Sequence, residues 1–150
     1  MKFFKPIAHA VAGALIAATT FGQAHAYDCA SSATGNFIAT ATLQSQLPGG
    51  YTCTGTFPSA QWNELLSGGS SGVVIDYKMG PLSSADPSAQ VGTYTISDDG
   101  TGSGVIAYNY SQGGTYSYRV ISTPVGGSTY AFCQTGTGVS YLVNVQPSHC

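Results

Sequence analysis

Acid–base chemistry needs a carboxylate pair or a histidine within reach of a shared substrate, and this chain offers few of either. Its six acids are Asp28, Glu64, Asp76, Asp86, Asp98 and Asp99, and the one histidine after residue 26 is His149. Asp98-Asp99-Gly100 and Asp86-Pro87 have the composition of turns. His149 stands beside Cys150 and reads as a tail residue. Glu64 and Asp76 are the acids that could approach one another, though nothing in their spacing requires it. Serines are plentiful, but no nucleophile elbow, phosphate-binding glycine loop or EF-hand loop accompanies them. No CxxC is present, which disfavours a metal centre. The expectation is a non-enzymatic protein with no cofactor and no metal.

Recognition chemistry has more to work with. The only tryptophan, Trp62, stands two residues before Glu64, and Asp76-Tyr77-Lys78 sets an aromatic ring between opposite charges. Charge is scarce elsewhere, so these five residues are the candidate recognition set. A second set is aromatic. The stretch YNYSQGGTYSYRV carries Tyr108, Tyr110, Tyr116 and Tyr118 around a glycine pair, and Tyr94 lies on the segment before it. These five rings are expected either to pack a core with their hydroxyls at its rim or to line an aromatic ligand cavity, because a buried tyrosine hydroxyl requires a partner or water.

The ends of the sequence indicate where such a protein works. Lys2 and Lys5, an apolar run over residues 10–21, and Ala24-His25-Ala26 form a secretory signal, with cleavage expected before Tyr27. The apolar run is too short to cross ~30 Å of hydrocarbon as a helix. Residues 27–150 are then one domain, released to the periplasm or the cell exterior with no membrane anchor. That part keeps Cys29, Cys53, Cys133 and Cys150, and an even number of cysteines in an exported chain implies two disulfides. Cys29–Cys53 and Cys133–Cys150 are the expected pairs, each closing a short terminal loop. It also keeps only Lys78 and Arg119 as side-chain cations against six acids. Nucleic acid binding, which needs a basic stripe to neutralise phosphates, is excluded, and attachment to anionic lipid is disfavoured for the same reason.

Elements with period-two patterning must hold these residues. Strands are expected over residues 36–43, 51–57, 73–79, 91–97, 104–110, 115–121, 129–134 and 139–145, separated by Gly-, Pro- and Asp-rich turns. Residues 59–66 read as one short helix, with Ser59 as N-cap and Trp62, Leu65 and Leu66 at helical spacing. The fold class is all-β: a small antiparallel meander, barrel or sandwich, of about eight strands. Side chains alternate between faces along a strand, which sets Ile106, Tyr108, Tyr110, Tyr116, Tyr118 and Val120 on one side. A three-residue loop of Gln112, Gly113 and Gly114 would pair Tyr110 with Tyr116 and Tyr108 with Tyr118. Tyr94 is expected opposite Tyr108, Ile96 opposite Ile106, Phe132 opposite Tyr141 and Tyr130 opposite Val143. Thr93, Thr95, Ser97, Asn109, Ser111, Ser117 and Arg119 form the wet face.

Trp62-x-Glu64, then Asp76-Tyr77-Lys78-x-Gly80-Pro81, then Asp86-Pro87 and Val91-Gly92-Thr93-Tyr94, resemble a set of uncharacterised exported proteobacterial proteins over residues 62–94. That resemblance implies export and no activity or functional residue. The meander of short strands is similar in architecture alone to avidin-like and lipocalin-like barrels, and architecture does not fix function. The leading expectation is an exported binding protein for a small ligand, a glycan or a protein partner, an inhibitor or immunity protein included. The alternative is a self-associating subunit of an extracellular filament or matrix, whose extended segment 36–43 pairs with a neighbour's edge.

Overall fold

The computed structural model describes Cys29, residues 37–54, 62–77, 88–123 and 127–148, and Cys150. The expected signal segment 1–26, Asp28, Lys78, Asp86 and His149 lie outside the described residues. A short helix α1 (Thr40–Gln46) precedes eight strands: β1 (Tyr51–Cys53), β2 (Asn63–Gly68), β3 (Ser71–Tyr77), β4 (Ser88–Asp98), β5 (Gly104–Tyr110), β6 (Gly114–Ser122), β7 (Thr129–Gln134) and β8 (Ser140–Gln146). Each strand pairs antiparallel with the next, and β8 returns to β1, so the sheet closes into a barrel.

Parity places the expected rings inside. Tyr94, Ile96, Ile106, Tyr108, Tyr118, Val120, Phe132 and Val143 are buried in one core, while Thr93, Thr95, Ser97 and Asn109 face water. Tyr94 opposes Tyr108, Ile96 opposes Ile106, Phe132 opposes Tyr141 and Tyr130 opposes Val143, as the pattern predicts. The β5–β6 hairpin differs by two residues. Its loop is Ser111, Gln112 and Gly113, so Tyr110 faces Gly114, Tyr108 faces Tyr116 and Ile106 faces Tyr118. Gly114 takes a positive φ of 96°, which a glycine tolerates, but it does so as the first strand residue rather than the last loop residue. A two-residue slip keeps every side chain on its face, whereas a one-residue slip would have inverted them all.

Two elements exchange identity relative to the sequence expectation. Residues 36–43 are not a strand: Phe37 and Ala39 make isolated bridges to Ile121 and Ser103, and α1 begins at Thr40. Residues 59–66 are not a helix where they are described, because Asn63–Gly68 is β2, laddered to β1 and β3. Helical propensity cannot account for α1, whose N-terminus has no side-chain cap. Burial does: Leu43 and Leu47, one turn apart, are fully buried across one end of the barrel, each contributing about 1.5–3 kcal/mol. Tertiary contacts moor the helix there. Thr40 donates to Asp98 (2.9 Å), Gln44 to the Ile96 carbonyl (3.3 Å), and the Tyr130 hydroxyl to Gln46 Oε1 (3.1 Å). In β2 the decisive periodicity is Trp62, Glu64 and Leu66 rather than Trp62, Leu65 and Leu66. A buried glutamate on the inner face hid that alternation.

The disulfides also differ. The bonds are Cys29–Cys133 and Cys53–Cys150, closing spans of 104 and 97 residues. In a closed barrel these pairs become neighbours on the outer wall. Cys133 belongs to a small outer cluster with Ile121 and Ala131, on which Phe37 and Cys29 pack. Arg119 lies over the Phe37 ring at 5.2 Å and pairs with Asp99 at 2.7 Å. Two disulfides are consistent with an oxidising, exported environment.

Candidate functional site

The barrel ends are unlike. One is closed by α1. At the other, β5 ends at Tyr110, β6 starts at Gly114, β7 and β8 meet near Ser140, and the inner-face residues become polar and aromatic. Trp62 continues the β1–β2 ladder, its backbone N–H donating to Thr54 Oγ1 (3.0 Å) and its carbonyl accepting from the Thr54 N–H (3.3 Å). This directs the indole into the mouth, where it packs on Tyr141 (5.3 Å between ring centroids), Tyr118 (5.8 Å), Phe132 (6.2 Å) and Tyr108 (6.4 Å). Tyr110 stacks on Tyr108 at 5.9 Å, nearly parallel, and meets Tyr116 edge-on at 6.0 Å.

A cavity of about 370 Å³ opens between these rings, with Glu64, Tyr110, Tyr116, Tyr118 and Tyr141 among its walls. A second, of about 430 Å³, lies on the other side of Tyr110 and is bounded by Asp76 and Val91. Tyr110 and Gly113 border both. Each volume is at the lower end of the range that holds a small molecule.

Glu64 forms the polar floor. It is 6 % exposed, and its Oε2 accepts from the Tyr110 hydroxyl at 2.9 Å. Asp76 is its direct cross-strand partner on β3. Burial pushes the Glu64 carboxyl up to about 7; the Tyr110 hydrogen bond opposes this and the Asp76 charge adds to it. Burial likewise raises Asp76, against a hydrogen bond from the Tyr77 backbone. Burial and then the Glu64 charge hold the Tyr108 and Tyr110 hydroxyls well above the usual tyrosine range. Tyr118 is pushed up to about 12, first by burial. At neutral pH Tyr108, Tyr110 and Tyr118 are neutral hydroxyls that donate and accept, while Glu64 is poised between two states.

The Tyr108 hydroxyl is the anomaly. The side chain is 1 % exposed and the oxygen has no hydrogen-bond partner. Thr52 is the neighbour that acts on it at longer range; the Thr52 hydroxyl donates to the Glu64 carbonyl at 3.2 Å and keeps its lone pairs to accept from Tyr108. A buried hydroxyl left unmatched costs about 1–3 kcal/mol.

Three of the five candidate recognition residues therefore converge: Trp62 and Glu64 in the aromatic cavity and Asp76 beside it. Tyr77 does not. It stands on the outer wall, edge-on to Tyr51 at 5.2 Å. Of the five candidate rings, Tyr110, Tyr116 and Tyr118 line the mouth and Tyr108 lies beneath it. Tyr94 points away, its hydroxyl donating to the Gly69 carbonyl at 2.9 Å. Asp98 and Asp99 are turn formers, accepting from the Gly100 and Thr101 N–H groups. Sequence reasoning missed Thr52 and gave Tyr141 no role at the site. Once β1 and β2 are read as strands, parity puts Thr52 and Thr54 on the wall shared with Trp62 and Glu64, and Tyr141 faces Phe132 within the ring cluster. No family model, curated protein or solved structure matches the chain.

Proposed function

We propose that this is an exported, non-enzymatic binding protein whose barrel mouth takes a small ligand. One observation carries the reading: a buried carboxyl, Glu64, with one oxygen held by the Tyr110 hydroxyl, stands in the wall of a cavity lined by Trp62, Tyr110, Tyr116, Tyr118 and Tyr141. Aromatic walls with a few convergent polar groups are the make-up of a small-molecule site, and a carboxyl raised by burial within one marks it further. Closure of the opposite end by α1 leaves a blind cup, a shape suited to a small molecule rather than to a flat protein surface. A catalytic use of Glu64 and Asp76 has weaker support. They are adjacent on one wall, whereas a hydrolytic acid/base pair flanks the bond it breaks from two sides. The filament reading loses its motive, because the segment expected to donate a strand is occupied by α1, and β1 and β8 close the sheet on themselves.

Trp62 makes the test direct, since the only tryptophan of the chain packs in this mouth. Titrating the full, disulfide-bonded chain with a library of small ring compounds should shift or quench its emission in a saturable way. No response across the library, together with polymers by size-exclusion chromatography and electron microscopy, would overturn the proposal in favour of a structural subunit.

A further inference from the structure

Resting on that reading, we infer that the mouth selects an organic cation: a flat or alicyclic ring bearing a protonated amine, the ring against Trp62 and Tyr118 and the ammonium toward Glu64. Glu64 has one carboxylate oxygen engaged by Tyr110 and the other uncommitted among the hydrogen bonds of the described residues. Asp76 opposes Glu64 across the β2–β3 ladder, in the wall of the neighbouring cavity, and adds its negative charge at longer range. Ionised carboxylates only accept, and an ammonium is a donor-only group with three N–H bonds to give. The walls agree with the floor. Trp62, Tyr116, Tyr118 and Tyr141 present ring faces or edges around the cavity, and aromatic faces attract a cation within about 6 Å of the ring centre, more strongly when water is excluded. Among the described residues the single side-chain cation is Arg119, on the outer wall and paired with Asp99, so none of them already neutralises the mouth.

The inference carries a proton with it. The titratable groups facing Glu64 are Asp76 from β3, Tyr108 and Tyr110 from β5 and Tyr118 from β6. Burial keeps the hydroxyls of Tyr108, Tyr110 and Tyr118 protonated, so an arriving ammonium acts on the carboxyls, Glu64 first. It favours their ionised forms, and Glu64 releases its proton as the ligand enters. Affinity for a cation therefore rises with pH through about 7, by up to roughly 30-fold between pH 5.5 and 8 for a group titrating there.

Isothermal titration of the full chain, expressed into an oxidising compartment, separates this inference from the reading it rests on. The probes are tryptamine and phenethylamine, each set against the alcohol that replaces its ammonium by a hydroxyl, tryptophol and phenethyl alcohol. The expected result is at least tenfold tighter binding of the amines at pH 8, loss of that advantage at pH 5.5, and proton release measured by repeating the titration in buffers of different ionisation enthalpy. Glu64→Gln should weaken the amines at least tenfold and leave the alcohols unchanged. Alcohols that bind as tightly as the amines, with no pH dependence and no effect of Glu64→Gln, overturn the cation inference and leave a small-ligand cup standing. If none of the four probes binds the parent and Trp62 emission is unmoved by the wider library, both fall together.

Discussion

Replacing Glu64 by glutamine should make the protein more stable at alkaline pH and nearly as stable as the parent at acid pH. The carboxyl is 6 % exposed, and burial raises it from 4.5 to about 7. Below pH 4.5 the folded and unfolded chains both hold the proton. Between 4.5 and about 7 the unfolded chain has released it and the folded protein has not. The folded state then binds more protons, and stability falls as pH rises. At 1.36 kcal/mol per pH unit, the total penalty above pH 7 is on the order of 3 kcal/mol. Glutamine cannot ionise and still accepts from the Tyr110 hydroxyl, so it removes that penalty. For a domain of this size the gain corresponds to about 10 °C in Tm at pH 8. A small fall with pH should persist in the variant, since burial raises Asp76 as well. The assay is thermal unfolding of both proteins without ligand, at half-unit steps from pH 4.5 to 8.5. Parallel profiles for parent and variant would refute the reasoning, because Glu64 would then titrate alike folded and unfolded.

Four further outcomes follow from the same structure. Tyr108→Phe removes a buried hydroxyl that has no partner, so urea unfolding should show unchanged stability or a gain of up to about 1–3 kcal/mol; a loss of that size would mean the hydroxyl is satisfied. Gly104→Ala places a methyl group against the Leu43 side chain and the Thr40 backbone. It should lower stability by about 1–3 kcal/mol and speed amide exchange in α1, and faster exchange in β5 alone would contradict the plug. Removing Cys53 and Cys150 together opens a loop of 97 residues and should cost about 4–5 kcal/mol by loop entropy. Non-reducing peptide mapping of the parent should recover Cys29–Cys133 and Cys53–Cys150, and a Cys29–Cys53 peptide as the main product would contradict the fold.

The barrel wall was legible where polar and apolar residues alternate without interruption. In β4, β5, β7 and β8 the alternation gave spans, faces and most of the register. It failed where function or closure broke the pattern. Glu64 is a charge at an inward position, so β2 looked like a helix. Ile38 is at strand parity, but Leu43 and Leu47 answer to the open end of a barrel, which no local pattern announces. The same holds for the site. Trp62, Glu64 and Asp76 stood out by rarity, whereas their convergence with Tyr110, Tyr118 and Tyr141 depends on β1 meeting β8. The cysteine pairing was illegible for that reason too. Nearness along the chain is the only guide a sequence provides, and ring closure reverses it.

That reversal has a temporal side. During synthesis Cys29 and Cys53 leave the ribosome first and together, long before Cys133 and Cys150. An oxidant acting on the emerging chain would join the first two, which belong to different bonds in the finished barrel. Thiol–disulfide exchange then has to undo that product before either native bond can form. Yield of the folded protein should thus depend on an isomerase more than on an oxidase, and a host that oxidises quickly but reshuffles slowly should accumulate a trapped, non-native early crosslink.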